Sequence, residues 1–284
     1  MQDQTILSMA VLLYIFAAAL YFSNPFLKVP RIGALATLVT VIAFLVHTLA
    51  LLRRWMATYR MGFGHLHIVT LYESLSFIVW AIVLAYLILE FKFKNKIVGS
   101  FVIPLAAIVL IYTTMVLPGT QSTIAPVPEV LQGNFYNYHV IPCFLGYGAF
   151  TISFGASIIY FFKKRKKAAG STETGMLQLS ASLHFLNEII YNAIAIGFIF
   201  FTIQLIAGMF RTKIIWGSYW QWDPTQVLGL ITWLIYSVIL HGRFTRWWQE
   251  DMTAILSILG FITAIAGFLV ATGRMVTTGH YPIL

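Results

Sequence analysis

A chain of 284 residues that is 60% hydrophobic and only 10% charged lies far outside the soluble range of roughly 45–50% apolar and about 25% charged, which excludes an ordinary water-soluble domain. The net charge of +9 does not describe a nucleic-acid surface, because the Lys and Arg residues cluster between apolar runs instead of forming one basic face. A single cysteine, Cys143, excludes both an internal disulfide and a Cys-X-X-Cys redox site, so any thiol chemistry must come from a partner or substrate.

In chain order the apolar runs fall at residues 5–23, 33–52, 71–90, 97–117, 138–162, 190–210, 225–241 and 253–272. Each has about the length of 17 to 25 residues that crosses a hydrocarbon core as a helix. The expectation is an all-α integral membrane protein of about eight transmembrane helices, a single polytopic domain over residues 1–284. The first run lacks a basic flank and a small-residue cleavage site, so it reads as a retained helix and not as a signal peptide.

Basic residues accumulate in cytoplasmic loops. One alternating set of loops carries twelve, among them Lys92, Lys94, Lys96 and the run from 163 to 167, while the other set carries six: Arg53, Arg54, Arg60, Arg211, Lys213 and Arg274. This asymmetry predicts that the N-terminus, the C-terminus and the loops near 53–70, 118–137 and 211–224 all face outward. The segment 172–188 reads as a cytoplasmic connector, with an interfacial helix presenting Met176, Leu177, Leu179, Leu183, Leu186 and Ile190 as the alternative. Glu73, beside Tyr72 near the outer end of the third span, is one of few acids close to the bilayer, and Arg53, Arg54 or Arg60 would be its structural partner.

The informative stretch is Trp216-Gly217-Ser218-Tyr219-Trp220-Gln221-Trp222-Asp223-Pro224, within the outer loop 211–224. A single tryptophan here would belong to the aromatic belt at the headgroup level. Three tryptophans and a tyrosine so close together exceed what anchoring needs and offer flat apolar surfaces suited to a macrocycle. Gly217 lets the backbone turn or approach closely. Asp223 and Pro224 have a structural role as N-cap and first helical residue of the seventh span, with Gln226 at the third position. A carboxylate so placed can also orient a ligand through hydrogen bonds.

Neutral imidazole is a common axial ligand of haem iron. His139 falls at the outer end of the fifth span and His280 in the outer C-terminal tail, on the side of the tryptophan-rich loop, so imidazoles from two elements can approach opposite faces of one haem. His241 ends the seventh span 18 residues after Asp223, roughly 27 Å away along a helix. It cannot join the outer site, but it is a candidate for an inner haem station; the alternative is an interfacial histidine beside Arg243. His47 reads as a buried and hydrogen-bonded histidine, His65 and His67 as an outer-loop pair without further ligands, and His184 as part of a basic loop. No phosphate-binding loop or nucleophile triad stands out, which leaves ATP-driven transport and hydrolysis without support.

The tryptophan-rich stretch resembles the "WWD" signature of haem-handling proteins. Its continuation through Leu230-Ile231-Thr232-Trp233-Leu234-Ile235-Tyr236 to His241 is similar to the CcsA/ResC family, the haem-handling component of system II cytochrome c biogenesis. Leu71-Tyr72-Glu73-Ser74-Leu75 and the approach from Val127-Pro128 to His139-Val140 are similar to the same family. The chain departs from the pattern at Thr225-Gln226-Val227-Leu228, where the family carries a more polar continuation, and at Tyr281, where a serine usually follows the histidine.

The resemblance implies that Trp216, Gly217, Tyr219, Trp220, Trp222 and Asp223 form a haem-handling surface. His139 and His280 would be the axial ligands of the outer haem iron, and His241 an inner-side ligand. The cargo would be haem b, bound non-covalently and presented to an apocytochrome c carrying Cys-X-X-Cys-His. A CcsB/ResB-type membrane partner and a thiol-reducing pathway would act with the chain as a cytochrome c synthase, in the inner membrane of a bacterium or a thylakoid-type membrane. A haem transporter or chaperone without attachment activity would use the same ligands; a third reading, a haem-b electron-transfer subunit, would normally stack histidines at two depths within spans instead of clustering aromatics outside one.

Overall fold

In hydrocarbon no water is at hand to satisfy the backbone, so an apolar run must hydrogen-bond within itself. Among the described residues it does so as eight membrane-length helices: α1 Gln2–Leu27, α2 Pro30–Arg60, α3 Leu71–Phe93, α4 Gly99–Ile111 running on into a π-helical turn Tyr112–Val116, α5 Asn134–Ala168, α6 Leu183–Trp216, α7 Pro224–Phe244 and α8 Glu250–Thr277. The computed structural model describes residues 2–27, 29–62, 68, 70–117, 122–124, 134–169, 182–245 and 250–277. His65, His67, His280 and the connector positions Met176, Leu177 and Leu179 lie outside them. The protein is a multi-pass membrane protein, all-α among the described residues.

The expected spans are all present, but several helices outrun them. Residues 211–216, expected as loop, are the last turns of α6, and Arg53, Arg54 and Arg60 are still helical in α2. The connector expected over 172–188 is cut short because α6 starts at Leu183, with the Ser182 hydroxyl accepting from the Phe185 N–H at 3.1 Å. Hydropathy falls where charges leave the hydrocarbon, whereas a helix propagates until a cap or breaker stops it.

Helices α1, α2, α3 and α4 pack as one group, and α5 to α8 as a second, with α5 reaching across to α3. Small residues let α5 sit close to its neighbours. A Cβ on Gly148 would meet the Ala81 carbonyl oxygen of α3 at 2.6 Å, and Gly146 faces the Gly197 carbonyl of α6 at 3.3 Å. Because the obstacle at Gly148 is backbone, Gly148→Ala is expected to cost about 1–3 kcal/mol through overpacking, read as a lower thermal midpoint of the purified protein. An unchanged midpoint would contradict this packing. Polar pairs tie other helices together: Ser257 of α8 donates to Ser153 of α5 at 3.0 Å, Trp233 Nε1 of α7 to Thr202 of α6 at 2.9 Å and Trp80 Nε1 of α3 to Thr48 of α2 at 2.9 Å.

One end of the bundle is fixed by a buried ionic cluster. Arg54 donates to Glu73 through Nε at 2.8 Å and Nη2 at 2.5 Å, to Asp3 at 3.1 Å and to the Ser122 carbonyl at 2.9 Å. Of the three arginines expected as partners for Glu73, register selects Arg54; Arg53 and Arg60 are exposed. Glu73 also closes a capping box with Thr70 at the start of α3. At the opposite end Glu90 accepts from Tyr21 and Thr37, each at 2.5 Å, and from Lys96 at 2.9 Å. Arg243 there pairs with Glu188, Lys164 with Asp251, and His184 with Glu250 at 2.9 Å.

Candidate functional site

The end of the bundle that holds the Arg54 cluster also holds the tryptophan-rich segment. Helix α6 stops at Gly217, whose φ of +72° is a left-handed C-cap that glycine adopts without strain, and its N–H reaches the Lys213 carbonyl. The chain then turns through residues 217–223 and enters α7 at Pro224. Asp223 caps that helix, accepting from the N–H groups of Thr225 at 2.8 Å and Gln226 at 3.3 Å. The Gln226 side chain closes the turn from inside, accepting from the Gln221 N–H and donating to Thr212, both at 2.9 Å.

This turn divides the aromatic residues. Trp216, Tyr219 and Trp222 are exposed, while Trp220 turns inward and lines a recess with His139. Trp222 sits at φ +56°, a conformation disfavoured for a bulky residue and one that clusters at functional positions. The constraint presents its ring outward, edge-on to Trp220 at 5.6 Å. Tyr219 is steadied by Phe210 at 5.9 Å and by the Lys213 ammonium at 5.5 Å.

His139, near the start of α5, lies against α6. Its Nδ1 is 2.9 Å from the Gln204 carbonyl oxygen and 3.5 Å from the Gln204 side-chain nitrogen. The shorter contact is the stronger of the two, and a carbonyl only accepts, which assigns the proton to Nδ1. In the neutral ring Nε2 is then the nitrogen with a lone pair for a metal, the arrangement usual for ligating histidines. Gly208 makes room for the ring: a Cβ there would stand 3.0 Å from both its Cε1 and Nδ1.

Two cavities meet at His139. The larger, about 820 Å³, runs between α5, α6, α7 and α8, with Phe144, Tyr147, Phe201 and Phe268 on its apolar wall and Cys143 one turn below His139. The smaller, about 510 Å³, opens between the end of α6 and the start of α7. Arg211, Gln204 and Thr225 line both. The described residues thus bring together groups that suit a haem: the His139 imidazole, flat aromatic surface and an apolar cavity.

The structure brings His139, Trp220 and Asp223 together and sets Trp216, Tyr219 and Trp222 just outside. His280 lies outside the described residues. His241 is exposed at the other end of α7, where its carbonyl accepts from the Thr245 N–H at 3.0 Å. His47 is fully buried, edge-on to Tyr14 at 6.0 Å, and neither ring nitrogen makes a hydrogen bond among the described residues, against the expectation of a hydrogen-bonded histidine. Sequence reasoning missed Gln204 and Gly208, which lie inside the apolar run 190–210, and Arg211, which it assigned to a loop. With α6 continued past residue 210, the three fall at i, i+4 and i+7 on one face.

The family model "Cytochrome C assembly protein" matches residues 68–274, which run from α3 into α8 and include His139, the turn at 217–223 and His241 but not His280. Among curated proteins, the "Cytochrome c biogenesis protein CcsA" of Pyropia yezoensis is 32% identical over 273 residues, covering 83% of this chain and 84% of its own length. The protein of the same name from Prochlorococcus marinus (strain MIT 9301) is 30% identical over 250 residues, covering 82% and 79%. Among solved structures, "Cytochrome c Heme Lyase CcmF" superposes with a TM-score of 0.66 at 17% identity. That likeness, a likeness of fold, covers 95% of this chain but 49% of the other.

Proposed function

The chain belongs to the cytochrome c assembly protein family and, within it, to the CcsA proteins that act in cytochrome c maturation; from that premise we propose that it holds haem b at the outer face of its membrane and presents it for attachment to apocytochrome c. The observation that carries this reading is His139, whose Nδ1 is committed to the Gln204 carbonyl at 2.9 Å beside two cavities. The haem supplies two vinyl groups that accept the cysteine thiols of a Cys-X-X-Cys-His segment. The residues of this chain bind, orient and shield it. His139 and His280 ligate the iron, Trp216, Tyr219, Trp220 and Trp222 lie along the macrocycle, and Gly217 and Asp223 fix the turn that carries them. His241, at the far end of α7, receives haem on the inner side, with a CcsB/ResB-type partner completing the synthase and a reducing pathway keeping the substrate thiols free.

Removing this chain from a cell that makes a Cys-X-X-Cys-His reporter cytochrome is expected to abolish covalent haem in the reporter, read by haem staining after denaturing electrophoresis, and a restored copy should return it. Normal attachment without the chain would contradict the synthase reading.

A further inference from the structure

The recess between the end of α6 and the start of α7 carries more polarity than an apolar macrocycle can use. Arg211 is buried in its wall at 7% exposure. The indole N–H of Trp220 and the hydroxyl of Thr225 are likewise shielded from solvent, and neither makes a hydrogen bond among the described residues. Buried donors left unmatched are costly, so a recess that keeps the Trp220 and Thr225 donors together beside a buried guanidinium is built for an acceptor. A guanidinium, an indole N–H and a hydroxyl share one complement, a carboxylate, which takes hydrogen bonds on both oxygens and pairs with the planar fork of arginine. Asp223 is a poor candidate for contacting such a group, since it is itself an anion and its Oδ1 already caps α7.

We propose that the recess lined by Arg211, Trp220 and Thr225 binds a carboxylate of the ligand held at His139. This rests on the haem reading, in which the carboxylates are the two propionates on one edge of the macrocycle. Anchoring that edge between α6 and α7 leaves the opposite, vinyl-bearing edge free for the incoming thiols.

The test uses the full chain in nanodiscs, titrated with iron protoporphyrin IX and with its dimethyl ester, in which both carboxylates are blocked. The unaltered chain is expected to bind the free acid roughly tenfold or more tightly than the diester, as a charge-assisted contact would give. Arg211→Ala should bring that ratio close to one while the spectrum of the histidine-ligated iron persists, and Arg211→Lys should keep part of it. Thr225→Val, nearly isosteric, should lower the ratio several-fold and carries the test if Arg211→Ala does not fold. Equal binding of acid and diester by the unaltered chain, or a ratio untouched by these variants while His139 still ligates, overturns the recess alone. A spectrum that His139→Ala leaves unchanged, or no haem binding by the unaltered chain, overturns the haem reading and the recess with it.

Discussion

His139→Ala is expected to strip the outer site of its haem: bound haem in the purified chain should fall at least tenfold, or its spectrum should shift from six-coordinate low-spin to a form with one imidazole fewer. The magnitude follows from coordination chemistry, since loss of a group that merely orients a ligating histidine already costs about 10–100-fold in metal binding. No other described histidine can substitute. His47 is enclosed beside Tyr14, and His184 and His241 stand at the far end of the bundle. His280→Ala should produce a comparable spectral change if it supplies the other axial nitrogen. If both variants left the bound-haem spectrum as it was, the outer bis-histidine site would be wrong.

Arg54→Ala is expected to be the most destabilising single change outside the site. It would leave Glu73, whose side chain is 2% exposed, without the cation that it contacts at 2.5 Å. Breaking one half of a buried ion pair costs about 3–5 kcal/mol, because the surviving charge stays desolvated. The loss reaches further than α2 and α3, since the same guanidinium holds Asp3 of α1 and the Ser122 carbonyl. Ile68 lies against both the cavity beside this cluster and the larger cavity at His139, so loosening the cluster should disturb haem retention as well. The double change Arg54→Met with Glu73→Gln removes both charges yet keeps an acceptor for the cap of α3, and it should recover part of the stability. Thermal unfolding of the purified variants reads both effects. An Arg54→Ala protein as stable as the parent would show that the cluster is incidental.

Much of this was legible in the sequence, for reasons that differ by feature. The spans were visible because hydrocarbon demands runs of apolar residues, and the start of α7 because Asp223 and Pro224 form a cap with a local signature. Helix ends were not visible at α2 and α6, where charged residues end the hydrophobic window but not the hydrogen bonding. That error moved Arg211 from a helix face to a loop and hid its place beside His139. Glu73 could be assigned a partner class but not a partner, because choosing Arg54 over Arg53 or Arg60 depends on helical register between two elements. The motif marked four aromatics as one group, whereas the turn at Gly217 exposes three and turns Trp220 inward. Such a division depends on backbone dihedrals, which composition does not encode.

The most direct measurement is a structure of the full chain purified with haem. The expected result is iron ligated by His139 through Nε2, with the macrocycle against the turn at 217–223 at the end of the bundle away from His241. Haem bound with its iron remote from His139, for example only at His241 or between α1 and α2 near His47, would contradict the account.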